Sequence, residues 1–291
     1  MISLVNQLLC CPSCHNKLIH NNSTFACNNC NQNVLQHNRL LDFLDITPKL
    51  PLEFMQYTQN LHENAAQTMS DVKPDFRVNA VLKEVRQNVR GGVCLEIGGA
   101  DGPMTPDLER LFEIVFSLDF SRTFLERIEL KTNKSICLLG DAHFLPIQNG
   151  VVDNVVCSEV LEHVAIPTQL LAEIRRVMKK DAACILSVPN EFSLLPRSDM
   201  KLEQLPAHDT HINFYTTATL AKLLFRSGFR IVNSKTLSPP KISLKEMLRN
   251  PLAIIQKRIY GTHILCVLKP MRNPYVYWDS FSDQYTKKSP H

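Results

Sequence analysis

No window of the 291-residue chain approaches the roughly 18 apolar residues that a membrane-crossing helix needs, so no integral membrane segment is expected. The first residues, Met1–Leu9, have neither a basic start nor a long apolar stretch, so no secretory leader is expected either. Charge of one sign is scarce as well. With 32 Lys and Arg against 28 Asp and Glu, the formal charge of +4 permits an acidic partner without demanding one. Before residue 47 the only basic residues are Lys17 and Arg39, fewer than a segment gripping a phosphate backbone would carry. The 44% apolar share supports a sizeable core, enough for one α/β domain and a small appendage.

The ten cysteines are informative by position. Cys94, Cys137, Cys157, Cys184 and Cys266 stand singly in apolar, strand-like runs, where a thiol acts as a small hydrophobe. The other five cluster early. Cys11-Pro-Ser-Cys14 and Cys27-Asn-Asn-Cys30 are two Cys-x-x-Cys knuckles whose thiolates can converge tetrahedrally on one zinc ion, with Cys10 either a spectator beside Cys11 or able to exchange roles with it. The stretch Lys17–Phe25, turning at Asn21-Asn22, reads as a hairpin between the knuckles. Four cysteines leave no open coordination position, so the zinc is structural, and a segment of about 40 residues needs it to fold. This usage implies a reducing, cytoplasmic setting and no disulfide framework.

Val93–Gly102 organises the remainder. Val93, Cys94, Leu95 and Ile97 form a short strand-like run, interrupted by Glu96, a carboxylate that needs a partner if buried. Gly98, Gly99 and Gly102 allow a tight turn and a close backbone approach before a helix begins near Thr105, a combination suited to cradling a nucleotide. Ile114–Leu118 is a second strand ending in Asp119, placed to accept hydrogen bonds from ribose hydroxyls. Ile136–Leu139 leads into Gly140-Asp141-Ala142, and Val151–Cys157 into Ser158-Glu159-Val160-Leu161-Glu162-His163. Helices are expected over Phe76–Val89, Asp107–Phe112, Ser121–Leu130, Pro167–Met178 and Thr216–Ser227, with later strands at Ala183–Val188, Phe229–Ser234 and Thr262–Leu268.

Taken in order, these motifs resemble those of class I S-adenosylmethionine-dependent methyltransferases, and most of all the broad group typified by quinone-biosynthesis C-methyltransferases. The resemblance covers roughly Phe76–Pro270. It implies a Rossmann-like α/β fold, a seven-stranded methyltransferase sheet with helices on both faces, preceded by the zinc ribbon. The expected division is a ribbon over 1–46, a linker or helix over 47–75, the methyltransferase domain over 76–270 with an insertion at 238–261, and an aromatic tail over 271–291. Leu-x-Cys-Pro-x-Cys…Cys-x-x-Cys with Leu40-Leu41-Asp42-Phe43 resembles the ribbons preceding some bacterial methyltransferases, including guanine-methylating ribosomal RNA enzymes.

By position, the resemblance implies that Glu96 and the turn Gly98, Gly99, Ala100, Asp101, Gly102 hold the methionine end of S-adenosylmethionine. Asp119, with Phe120, takes the ribose; Asp141 and Ala142 flank the adenine; Ser158, with Glu159, sits beside the sulfonium. Ala100 departs from the family's usual middle glycine. Glu159, Glu162 and His163 are spaced i, i+3, i+4, so on a helix they share one face, and the acid–base chemistry stays open among three readings. Glu162 and His163 orient the strand-to-helix turn; or His211 or His208, with His163 nearby, takes a proton from the acceptor. In the third, Glu159, Glu162, His163 and His211 hold a divalent cation, an arrangement similar to that in plant small-RNA 2′-O-methyltransferases.

The linker segment Leu52–Met69, with Phe54, Tyr57 and Leu61 at helical spacing, is expected to dock on the next domain. The basic amphipathic stretch Ser238–Gly261 suits a substrate lid or homodimer contact better than a membrane or RNA surface, and the aromatic tail is expected to fold back. The function expected is methyl transfer to a small-molecule or biosynthetic-intermediate acceptor. The alternatives are an RNA methyltransferase, of ribosomal guanine or metal-assisted 2′-O type, and a cofactor-fold binding module without turnover.

Overall fold

The computed structural model describes residues 2–21, 24–48, 60, 63–64, 66–67, 75–88, 91–191, 211–238 and 261–271. His208, most of the 238–261 insertion, the aromatic tail and most of 52–69, including Phe54, Tyr57 and Leu61, lie outside them.

Apolar strands in the middle of the chain build a parallel sheet. They are β5 (Val93–Ile97), β6 (Ile114–Asp119), β7 (Ile136–Leu139), β8 (Val152–Ser158) and β9 (Met178–Pro189), following the ribbon strands β1 (Ile19–Asn21), β2 (Thr24–Cys27), β3 (Gln32–His37) and β4 (Leu40–Asp42). The chain starts at β5 in the centre, winds one way through β6 and β7, then crosses to β8 and β9 on the other side. β10 (Phe229–Leu237) and β11 (His263–Pro270) close the sheet antiparallel, with β11 inserted between β9 and β10. A crossing-over of this kind opens a crevice at the carboxyl ends of the strands where the winding reverses.

Both faces of the sheet are covered. Cys94, Val115 and Ile185 point to the side where α2 (Phe76–Asn88) lays down Val81, Leu82 and Val85, and α3 (Thr105–Leu111) Leu108. Leu95, Ile97, Phe116 and Val155 point to the opposite side, against Leu170, Leu171 and Ile174 of α5 (Pro167–Val177). The period-2 alternation along β5 therefore sends successive residues into two separate cores. All five single cysteines are buried in strands, as their apolar settings predict. On α4 (Arg122–Lys131), Ser121 accepts the Phe124 backbone N–H as N-cap. On α6 (Thr217–Arg226), Thr216 and Thr219 form a reciprocal capping box.

The ribbon is not a separate appendage. β1 to β4, preceded by α1 (Ile2–Leu8), run as an antiparallel meander, and β4 then pairs in parallel with β7, aligning Leu40 with Cys137 and Asp42 with Leu139. Among the described residues, eleven strands form one continuous sheet. Arg39 ties the junction: its guanidinium donates to Thr132 Oγ1 and to the carbonyls of Glu129, Thr132 and Ser135, while its backbone N–H reaches Glu129 Oε1 at 2.7 Å. The described part of the 47–75 stretch docks on α4, with Glu63 Oε1 accepting the Arg122 N–H and the Ala66 carbonyl accepting from Arg127.

Charge-assisted bonds of this kind, partly buried, are each worth about 1.5–3 kcal/mol when intact. Replacing Arg39→Met keeps the aliphatic stem and removes the donors. It should lower stability by about 2–3 kcal/mol in urea unfolding followed by circular dichroism; no change would show the junction to be held by backbone pairing alone.

Candidate functional site

At the carboxyl edge, strand register brings three motifs together. Ile97 pairs with Leu118 and Asp119 with Leu139, so the glycine turn, Asp119 and Asp141 all emerge at one level. The turn needs its glycines. Gly98 has φ +70°, and a Cβ there would run into the Val160 side chain, which brings the β8 turn onto the glycine turn. Ala100 takes φ +44°, a left-handed conformation that costs a residue with a Cβ about 1–2 kcal/mol. What holds it is Asp119, whose Oδ2 accepts the Ala100 N–H at 3.0 Å while Oδ1 accepts that of Ser121 at 2.9 Å. A carboxylate offers about four acceptor positions, so one carboxylate can serve both N–H groups at once.

Glu96 is fully buried, and its partners are Thr105 and Ser117, both donating to Oε2 at 2.6 and 2.9 Å. Oε1 is buried with no hydrogen-bond partner. Burial pushes the carboxyl up to about 7 against those two bonds, so it readily holds a proton until a cationic group meets it. Asp141 has a similar split. Its Oδ1 accepts both the backbone N–H of His143 and Nδ1 of the same residue, at 2.9 and 2.6 Å, while Oδ2 is buried without a partner. His143 Nε2 accepts the Ile166 N–H at 3.1 Å, which leaves the ring proton on Nδ1. His143 was not foreseen, although the local Asp-x-His spacing signals such a clamp. Asp101 is fully buried and its Oδ2 pairs with Lys131 at 2.9 Å.

Glu159, Glu162 and His163 do not share a helical face. Residues 159–163 form a turn with Glu159 at φ +56°, which sends its carboxylate elsewhere. Glu159 meets His263 at 3.1 Å, Arg77 at 3.2 Å and Ser187 Oγ at 2.9 Å. Burial would raise its pKa, but His263, Ser187 and Arg77 together hold it below the usual carboxylate range. Arg77 and His263 are distant in sequence and carry no motif. Ser158 pairs its hydroxyl with that of Ser187 at 2.8 Å. Glu162, His163 and His211 do converge: their ligand-type atoms lie within 4.8 Å of one another, and the two rings meet edge-on at 4.7 Å. The loop strand of His211 is held there by the Ile212 and Asn213 N–H groups, which donate to the Glu162 carbonyl. Phe120 and Ala142 sit half-buried beside Asp119 and Asp141.

The four ribbon cysteines also converge. Cys14 and Cys27 sulfurs are 3.5 Å apart and those of Cys11 and Cys30 3.9 Å, with all four within 4.8 Å. A tetrahedron with Zn–S arms of about 2.3 Å has edges of about 3.8 Å, so this cluster fits a tetrathiolate zinc. Cys10 is buried apart from it, its pKa pushed to about 12 chiefly by burial.

A family described as a methyltransferase domain matches residues 65–234, more than half of the chain. Among curated proteins, a probable S-adenosylmethionine-dependent methyltransferase of Mycolicibacterium smegmatis is 25% identical over 155 residues, 53% of this chain and 58% of that protein. An uncharacterized 37.1 kDa protein in transposon TN4556 of Streptomyces fradiae is 30% identical over 127 residues, 40% of this chain and 36% of that protein. The chain therefore spans between about a third and three fifths of these relatives' length. Among solved structures, a chain from the Haloferax volcanii complex of the Trm112 methyltransferase activator superposes with a TM-score of 0.56 at 16% identity, covering 77% of this chain and all of that one. Geranyl diphosphate C-methyltransferase of Streptomyces coelicolor A3(2) superposes at 0.55 with 13% identity, covering 77% of this chain and all of its own. Both share the fold.

Two substitutions test the electrostatics and strain. Ala100→Gly should raise stability by about 0.5 kcal/mol, the relieved strain less the added entropy of the unfolded chain; a loss would show that the alanine is unstrained. Burial, with Glu159 adding, lifts the Glu162 carboxyl from its ordinary 4.5 to about 8. The folded chain thus holds a proton that the unfolded chain releases, so stability falls as pH rises across that window. Glu162→Gln should abolish this loss, melting about 3–6 °C above the parent at pH 8 and level with it near pH 4.5 by scanning calorimetry. Parallel pH dependences would refute the assignment.

Proposed function

The chain belongs to the methyltransferase domain family, and from that premise we propose that it transfers a methyl group from S-adenosylmethionine to a small-molecule acceptor. The observation that carries the cofactor reading is the pair of buried, unpartnered carboxylate oxygens, Glu96 Oε1 and Asp141 Oδ2, flanking Asp119 at one sheet edge. An unpaired buried acceptor is costly and calls for a donor from a ligand. S-adenosylmethionine presents donors of the right kinds: an ammonium for Glu96, ribose hydroxyls for Asp119 and an exocyclic amine for Asp141. When bound, it supplies an electrophilic methyl on a sulfonium. Gly98 admits the Val160 side chain and so packs the β8 turn against the glycine turn, and His143 fixes Asp141 so that Oδ2 is the free acceptor.

The acceptor is held by the Ser158–His163 turn and the segment from His211. In this reading His211 takes the acceptor's proton, backed by His163 and Glu162, and Glu159 is a structural clamp tying Arg77 and His263 to the turn. General-base help of this kind contributes about 10²–10⁴-fold, and alignment of donor and acceptor supplies the rest. The four-cysteine ribbon holds zinc in a structural role. A small acceptor is favoured over RNA because Arg39 is spent inside the junction, leaving Lys17 as the ribbon's only other Lys or Arg among the described residues. The solved relatives include an enzyme described as methylating geranyl diphosphate, a small molecule.

The deciding experiment incubates the protein with a cell extract and isotopically labelled S-adenosylmethionine and reads the products by mass spectrometry. A mass-shifted small molecule supports the reading; labelled RNA, with steep salt dependence, replaces it with the RNA reading; and no S-adenosylhomocysteine at all leaves a binding module. Asp119→Ala should weaken S-adenosylhomocysteine binding at least about tenfold, and His211→Gln should slow turnover about 10²-fold with binding intact.

A further inference from the structure

The ribbon touches the methyltransferase domain at both ends of one short segment, residues 139–148, which contains Asp141. At the first end, the Phe43 N–H donates to the Leu139 carbonyl at 2.8 Å, and Phe43 is fully buried with its Cβ 3.6 Å from where a Gly140 Cβ would stand. Asp42 pairs with Arg122 at the start of α4, three residues past Asp119, the last residue of β6. At the second end, the Cys10 N–H donates to the Pro146 carbonyl at 3.1 Å, Leu9 bridges Ile147, and the Gln148 N–H reaches the Leu8 carbonyl at 2.8 Å.

Both anchors lead back to the same cysteine knuckle. Cys10 is the residue before Cys11. Ser13, inside Cys11-Pro-Ser-Cys14, donates its hydroxyl to the Ile46 carbonyl at 2.5 Å, and Thr47 Oγ1 donates to the Phe43 carbonyl at 2.7 Å. The turn holding Asp141, closed by the Phe144 N–H on the Asp141 carbonyl at 3.0 Å, is therefore suspended between two supports that share one metal-binding knuckle.

We infer that the first cysteine knuckle is a positioning element of the adenine pocket, so that metal in the ribbon and the adenosyl cofactor bind cooperatively. The inference rests on the cofactor reading above. Metal fixes the knuckle, the knuckle fixes Phe43 and Cys10, and these fix the depth and angle of the Asp141 turn. Without metal the knuckle relaxes and the adenine acceptor loses its place, while the glycine turn and Asp119, held within the parallel strands, stay. Ser13 and Asp42 are positioning residues in this scheme; neither is given a contact with the cofactor.

The test uses the full chain loaded with zinc, and S-adenosylhomocysteine as the probe in calorimetry. Binding to the zinc-loaded parent checks the cofactor reading by itself; no heat there defeats that reading and not the coupling. Given binding, zinc stripped by a chelator should raise the dissociation constant at least about tenfold, within the usual range for coupled sites. Ser13→Ala and Asp42→Asn, which keep all four cysteines, should each raise it about threefold or more with zinc content unchanged. Reciprocity demands that saturating S-adenosylhomocysteine tighten zinc by the same factor, measured by competition with a chelator of known affinity, and that Ser13→Ala shrink that factor. If stripping unfolds the chain, the two zinc-loaded variants decide alone. Dissociation constants within twofold of the parent in both variants, with zinc affinity unmoved by S-adenosylhomocysteine, overturn the proposal.

Discussion

The backbone register of β5, β6 and β7 is the constraint on which the proposed cofactor site depends. Parallel pairing fixes where each strand stops, and here Ile97 stops beside Leu118 and Asp119 beside Leu139. A one-residue slip would turn every side chain to the other face of the sheet, sending Leu95 and Phe116 out of their core and lifting Asp119 out of reach of Ala100. The two separate cores make such a slip costly, because each strand is apolar on both sides. The precision of the site is thus set by packing several residues away from it, and the polar groups at the edge inherit that precision.

The edge carries unusual electrostatic cost. Glu96 and Glu162 are both buried carboxyls pushed well above their ordinary range, and Ala100 and Glu159 both take left-handed backbone. Expenditures of this sort cluster where a fold does chemistry. Glu159 has three polar partners and reads as scaffold, whereas Glu96 and Asp141 each keep one oxygen without a partner. Three acidic residues with similar motif standing therefore have different roles, which the count and direction of their hydrogen bonds decides.

What could be read in the sequence was what is local. The glycine turn, the strand-end aspartates and the paired knuckles each occupy a few consecutive residues, and their backbone demands leave direct traces in residue type. Contacts closing over long separations left none. Nothing about Leu40-Leu41-Asp42 announces a strand that pairs with Cys137–Leu139, about a hundred residues on, because three apolar-rich residues suit a turn, a strand or a helix end equally. Arg77 and His263 reach Glu159 from opposite ends of the domain. Helical spacing suggested one shared face for Glu159, Glu162 and His163, but the left-handed Glu159 breaks the helix before it forms. His208 and most of the 238–261 insertion lie outside the described residues.

The parallel contact of β4 with β7 also bears on how the chain can be dissected. A Rossmann-like sheet cut off at β7 would present a row of unpaired amide and carbonyl groups along Ile-Cys-Leu-Leu, a short, uncharged and wholly apolar strand with nothing to discourage pairing between molecules. In the intact chain the outermost strand on that side is instead the three-residue β1, Ile-His-Asn. A fragment trimmed to the catalytic half would exchange a short polar margin for a sticky one and associate with itself, however well its own core was packed.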